Sequence, residues 1–234
     1  MWEFVDKIVY INLDQRGDRR LHMNDFFIQG QIPSEKILRL PAIYNKHGAI
    51  GCSASHIQVI TLAIQCGWSR VLIFEDDVDW NNFEENYAKL EELMKTSGWD
   101  VCMLGGLYAD VDPPRVKTAF CTHAYIVNQH YYQTLLNNFK ESYNLLSKSK
   151  SAISWVRSTV RMNEHGEYNL DSYWVKLQLK DNWVYIHTLC VQINSYSNIT
   201  NTVRTPETLK TSYNGQIIIN AADTIRTYIE NGDI

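Results

Sequence analysis

Several signatures of large function classes are missing from this sequence. Its five cysteines (Cys52, Cys66, Cys102, Cys121, Cys190) are odd in number and scattered, with no CxxC pair and no compact Cys/His cluster. Neither a disulfide framework nor a zinc site is expected, and Cys52 reads as a small buried filler. Reduced thiols in a cytoplasmic setting are the simplest account. Positive charge is not in excess: 22 Lys and Arg stand against 26 Asp and Glu, for a net charge of -4. That leaves no electrostatic footprint for nucleic acid. No apolar run reaches about 18 residues, so no membrane span is expected. The start, "MWEFVDKIVYINLDQRGDRR", puts Glu3 and Asp6 ahead of a short apolar run, where a signal peptide wants basic residues. There is no G-x-x-x-x-G-K-[ST] segment, which counts against a P-loop enzyme. No internal repeat and no linker divide the chain, so one domain over 1–234 is expected.

What is present is a large apolar fraction, 45% hydrophobic with 12% aromatic. That is enough for a sizeable core. "DKIVYINL" (6–13) is a β-branched apolar run and reads as a strand. A polar turn follows, then a helix over 21–29 and a second strand over 34–43. Gly48 and Gly51 punctuate a loop. "SASHIQVITLAIQCG" (53–67) has helical spacing and ends on Gly67. "RVLIF" (70–74) is a continuous apolar strand of the kind covered on both faces. A helix is expected over 81–98, a strand over 99–106, a turn over 110–117 and a strand over 118–128. A helix then starts at 129, and residues 141–167 are ambiguous. A helix over 170–180 and a strand over 182–193 follow, with a short strand and a last helix beyond 215. This alternation predicts an α/β fold around a mostly parallel sheet.

One strand ends on charge. "VLIFEDDVDW" runs from four apolar residues into Glu75, Asp76, Asp77 and, after Val78, Asp79. Ligands of open α/β sheets bind outside the carboxyl ends of the strands. Helix capping would use one such residue, whereas carboxylates this close repel by on the order of 1 kcal/mol per pair. A divalent cation relieves that repulsion. Mg²⁺ and Mn²⁺ take oxygen ligands, usually one or two carboxylates plus substrate phosphates. Glu75-x-Asp77 and Asp77-x-Asp79 both have suitable spacing.

Further segments point the same way. "VYINLDQRGDRR" (9–20), "GAIGCSASH" (48–56) and "LIFEDDV" (72–78), with "NLDSYW" (169–174) and "VQINSYSNI" (191–199), occur in that order. In these segments the chain resembles glycosyltransferase family 25, which includes lipooligosaccharide and procollagen galactosyltransferases and viral relatives. It departs from the family pattern at Ala49 and at Asn198, where acidic residues are usual. The resemblance implies a single GT-A-type α/β domain, with a nucleotide-binding half (1–110) and an acceptor-side half (111–234). It also implies a UDP-hexose donor, galactose or glucose, a Mn²⁺ or Mg²⁺ cofactor and an inverting outcome. The acceptor would be a glycan or the hydroxylysine of a collagen-like chain. Whether the chain acts alone, as a homodimer or beside a second domain stays open. So does a degenerate, non-catalytic relative that binds sugar nucleotides or a partner.

The roles implied are these. Glu75, Asp76, Asp77 and Asp79 are the metal candidates. Asn12, Leu13, Arg16 and Arg19 flank the nucleotide, with an Arg pairing with the diphosphate. Asp76 also faces the donor. Ser55 and His56, at a helix start, serve a phosphate or sugar hydroxyl, or Ser55 is only an N-cap. Gln192 and Ser197 reach the donor late in the chain, and His187 is a third ligand candidate. Asp171 is the candidate base, since transfer needs the acceptor hydroxyl deprotonated as it attacks; the competing role is a helix cap. Trp155, Tyr168, Tyr173 and Trp174 either stack on a sugar or lie in the core.

Overall fold

The computed structural model describes residues 1–148, 168–193, 195–197 and 202–204. Its centre is a six-stranded sheet in the order β2-β1-β3-β6-β5-β7. The strands are β1 (Lys7–Asn12), β2 (Ile37–Pro41), β3 (Arg70–Glu75), β5 (Val101–Asp112), β6 (Arg115–Asn128) and β7 (Trp183–Tyr185). Parallel pairing joins β1 to β2 and β3, and β5 to β7. β6 runs antiparallel to both β3 and β5, so it alone opposes the common direction. The expected mostly parallel α/β architecture is therefore the one observed. A short strand, β4 (Val78–Trp80), pairs with β8 (Cys190–Gln192) beyond the end of β3. β9 (Ser195–Ser197) and β10 (Thr202–Arg204) form a separate two-stranded ribbon.

Alternation along the strands builds two cores. Val9, Ile11, Val71 and Ile73 face one side, and Ile8, Tyr10, Leu72 and Phe74 the other. The first side is covered by α2 (Gly48–Cys66) and α4 (Tyr132–Lys148), through Val59, Ile60, Ala63, Leu135, Leu136 and Phe139. α5 (Leu170–Tyr173) and α6 (Val175–Lys180) add Leu170, Trp174 and Val175 there. The second side is covered by α1 (Gly17–Gln29) and α3 (Phe83–Met94). β3, buried on both faces, reads as the continuous apolar run seen in the sequence.

Several boundaries differ from the sequence expectation. α2 begins at Gly48, not near Ser53, so Gly48 and Gly51 are helical and not loop residues. Gly51 is needed for close approach: a Cβ there would lie 2.5 Å from the Ile43 carbonyl oxygen. The far end matches expectation, with Gly67 at φ +66 and its N–H on the Ala63 carbonyl. α1 starts inside the polar turn, at Gly17. β5 and β6 leave only Pro113 and Pro114 between them, because an antiparallel ladder recruits Asp110 and Asp112 despite their low strand propensity. The run 182–193 is two strands, since the chain turns at Thr188 (φ +49) and β8 joins β4. The last expected strand and helix, and residues 149–167, lie outside the described residues.

α2 is the one helix among the described residues whose length and composition would suit a membrane. It is a core helix here: eight of its residues are buried, Ser55 and His56 among them.

Candidate functional site

The parallel strands β1 and β3 end side by side, with Ile11 opposite Glu75. One step further, Asn12 and Asp76 meet: Asn12 Nδ2 donates to Asp76 Oδ2 at 2.7 Å. Arg19, from the first turns of α1, reaches the same point. Its Nη1 lies 2.5 Å from Asp76 Oδ1 and its Nη2 3.2 Å from Asp77 Oδ2. Arg39 on β2 donates through Nε to Asn12 Oδ1 at 3.0 Å and through Nη2 to the Asn12 carbonyl. All of these side chains but Arg39 are largely buried, so Arg19 acts as the counter-charge that lets two adjacent carboxylates leave water.

Glu75 faces the other way, toward α2. Its Oε1 sits 3.3 Å from His56 Nε2 and accepts a hydrogen bond from Thr122 Oγ1 on β6. His56 Nδ1 meets Tyr125 Oη at 2.7 Å. Burial pushes the Glu75 carboxyl up, but the His56 hydrogen bond and charge, then Thr122, hold it down to about 2. Asp77 behaves oppositely. Burial, with repulsion from Glu75 and Asp76, outweighs Arg19 and pushes it up to about 6. Its other partner is weak, Gln192 Nε2 at 3.4 Å from Oδ1. Gln192 arrives there because β8 pairs with β4, placing it opposite Val78.

Asp171 joins from the far half of the sequence. Its Oδ2 accepts the backbone N–H of Cys121 at 3.1 Å. The neighbouring residue, Thr122, is the one that holds Glu75. Cys121 has φ +72, a left-handed conformation that costs a non-glycine residue on the order of 1–3 kcal/mol. So a single strained step of β6 fastens two carboxylates that are distant in sequence. The N-cap position of α5 belongs to Asn169, and Asp171 lies within the helix's first turn. Cys52 on α2 completes the group: burial first, then the charges of Glu75 and Asp171, push its thiol well up.

The four clustered carboxylates thus separate by environment. Asp76 has both oxygens engaged, by Arg19 and Asn12. Asp79 accepts the N–H of its neighbour Trp80. Glu75 belongs to the His56–Thr122 group, and Asp77 shares Arg19 with Asp76, adds a long contact to Gln192 and keeps excess negative charge around it. A hard divalent cation fits Asp77 best, because the single charge of Arg19, shared with Asp76, does not offset the burial and repulsion there.

Of the expected donor contacts, the structure brings Asn12, Arg19, Asp76 and Gln192 together around the carboxyl end of β3. Arg16 instead pairs with Asp18, through Nη2 at 2.7 Å. The Leu13 carbonyl accepts the Arg16 N–H, and the Asn12 carbonyl is taken by Arg39 and Ala42. Ser55 is not an N-cap or a helix-start group: it is seven residues inside α2, donates to the Gly51 carbonyl and accepts the Ile43 N–H. It fastens the segment before α2 to the helix. His187 contacts Tyr108, Tyr185 and Thr188. Trp174 is fully buried, with its indole N–H on the Ala119 carbonyl, and Tyr173 packs under Lys176. Both are core residues. The Tyr168 carbonyl accepts a hydrogen bond from Ser142 Oγ. Trp155, Asn198 and the Ser197 side chain lie outside the described residues.

Sequence reasoning missed Arg39, Thr122 and His123. The last is 4% exposed, and burial lowers its pKa against the pull of Glu75 and of the Cys190 carbonyl. The available signal was Cys121-Thr122-His123, three polar-capable residues interrupting the apolar stretch between Ala119 and Val127.

No protein-family model matches the chain, and no curated protein matches it. Among solved structures it is similar to a glycosyltransferase involved in the glycosylation of the major capsid of PBCV-1. That match has 10% identity over 82% of this chain and 94% of the other, with a TM-score of 0.48. It is also similar to A197 from STIV, at 12% identity over 85% and 94%, TM-score 0.43. A third is the nucleoside-diphosphate-sugar pyrophosphorylase from Vibrio cholerae RC9, at 14% identity over 79% and 75%, TM-score 0.33. Likenesses at this level carry no functional argument, which rests on the side chains.

The raised Asp77 carboxyl gives a stability test. Its folded value of about 6 exceeds the ordinary 3.8, so the charged form is disfavoured by folding. Below the ordinary value both states hold the proton and nothing is lost; as pH rises through about 6 the wild type loses stability. Asp77→Asn is therefore expected to stabilise by about 1–3 kcal/mol near pH 8 and by little near pH 4. Urea midpoints at the two pH values check it. Equal midpoints for the two proteins at the higher pH would contradict the assignment.

Proposed function

We propose that this chain is a metal-assisted hexosyltransferase of the family 25 type. It would move galactose or glucose from a UDP-hexose to an acceptor hydroxyl, on a glycan or on hydroxylysine of a collagen-like chain. One observation carries the reading: Asp171 and Glu75 are held by consecutive residues of β6, at the carboxyl end of β3 beside Asp77. A candidate base and a charge-deficient carboxylate thereby share one location, where α/β sheets place their ligands.

In this reading Asp77, with Gln192 beside it, holds the Mn²⁺ or Mg²⁺. When bound, that ion neutralises the leaving diphosphate as a Lewis acid. Asp171 accepts the proton of the acceptor hydroxyl while its oxygen bonds to the anomeric carbon. The bond from that carbon to the UDP oxygen breaks, and UDP leaves with the electron pair. Direct displacement inverts the anomeric centre. Arg19, Asn12 and Arg39 are positioning residues. They set Asp76 and hence the turn that presents Asp77.

The deciding experiment is calorimetric titration of UDP, UDP-galactose and UDP-glucose into the full chain, with Mn²⁺ and then with EDTA. Binding that requires the metal is expected, and the tighter sugar names the donor. No binding in either buffer would overturn the donor site and favour the non-catalytic alternative.

A further inference from the structure

Cys52 and His56 are four residues apart on α2, so they share one face of the helix. Glu75 approaches that face from the end of β3. The thiol sulfur, one imidazole nitrogen and one carboxylate oxygen all lie within 4.8 Å of one another. We propose that these three side chains form a site for a zinc-class transition-metal ion, separate from the hard-cation position at Asp77. Cys52-x-x-x-His56 lacks its third member in the sequence, and only the fold brings in Glu75.

The geometry is close to what such an ion needs. Tetrahedral zinc with bonds of about 2.0–2.3 Å sets its ligand atoms roughly 3.3–3.8 Å apart. His56 Nε2 and Glu75 Oε1 are already 3.3 Å apart. Supporting contacts orient both. Tyr125 Oη engages His56 Nδ1 and so reserves Nε2, and Thr122 holds the Glu75 carboxylate. His56 is fully buried, and Cys52 and Glu75 are partly so. The donor set discriminates as well. A thiolate with an imidazole selects zinc, cobalt or iron over Mg²⁺ and Mn²⁺, which prefer oxygen alone. Three protein ligands leave a fourth position for water or a substrate oxygen. Binding replaces the Cys52 thiol proton by the metal and releases it to solvent. The proposal does not rest on the transferase reading, because it concerns the metal alone.

The test uses the full chain, freed of metal with EDTA and titrated with Co²⁺ as an optical stand-in for zinc. A thiolate-to-cobalt charge-transfer band is expected, which Zn²⁺ removes and excess Mg²⁺ does not. The band should vanish in Cys52→Ser and persist in Cys66→Ser, whose thiol is exposed. A second measurement uses the wild type and does not depend on the folding of Cys52→Ser. Zn²⁺ should slow alkylation of Cys52 at least tenfold, read by peptide mass, while Cys66 keeps reacting. Absence of the band in the wild type, its survival in Cys52→Ser, or Cys52 alkylation unchanged by Zn²⁺ would each overturn the site. UDP-hexose titration of the same preparation reads the donor site independently, so the two ideas fail separately.

Discussion

Replacing Asp171 by Asn is expected to cut UDP-hexose turnover by roughly 10²–10⁴-fold, the range for loss of a general base. Donor affinity should stay within a few-fold of wild type. The two readouts separate because the substitution is isosteric. An amide oxygen still accepts the Cys121 N–H at the same place, so the β6 step and Thr122's hold on Glu75 survive. What disappears is the capacity to take a proton from the acceptor. Turnover is measured as UDP release under saturating donor, and affinity by calorimetry in Mn²⁺. A variant that keeps wild-type turnover removes Asp171 from the chemistry. A variant that loses donor affinity in parallel makes Asp171 a donor-side residue instead. Asp77→Asn supplies the contrast, with metal-dependent donor binding lost along with turnover.

Arg19→Met is expected to destabilise the fold by about 3–5 kcal/mol, the range for stranding one partner of a buried ion pair. For a chain of this length that lowers the melting temperature by on the order of 10 °C. The reason is specific. Arg19 serves Asp76 and Asp77 together, and both are mostly out of water. Methionine keeps much of the volume and removes the charge. Adding Asp76→Asn to Arg19→Met should recover part of the loss, since it removes one of the two stranded charges. The deficit should also shrink as pH falls below about 6, where Asp77 takes up a proton. Thermal melts of the single and double variants near neutral pH and at lower pH check both statements. A deficit that is small and independent of pH would mean that water, not Arg19, satisfies the pair.

In this arrangement Arg19 is committed to Asp76 and Asp77, where an Arg-rich turn after a first strand suggests pairing with a diphosphate. In sequence, Arg16 and Arg19 look alike. In space, α1 begins at Gly17, and its first turns carry Arg19 inward over the end of β3 while Arg16 closes on the exposed Asp18. A helix start moved by a few residues changes which side chain faces the core. Ser55 illustrates the same point. Beginning α2 at Gly48 converts an expected cap into a mid-helix residue bonded to the preceding segment.

The chain by itself determined the α/β class, the buried β3 and the carboxylate cluster at its end. These depend on local periodicity and on an abrupt change from apolar to acidic residues, both visible within about ten positions. It also pointed to Asp171, through a motif. Tertiary structure alone decided how the four carboxylates divide. Arg19, Asn12 and Arg39 lie more than thirty residues from the carboxylates they arrange, and Thr122 and Cys121 more than forty from theirs. Local pattern has no access to pairings at that separation. Partners then set their charge: burial pushes both carboxyls up, but an imidazole and a hydroxyl hold Glu75 low, while Asp77 stays raised where counter-charge runs short.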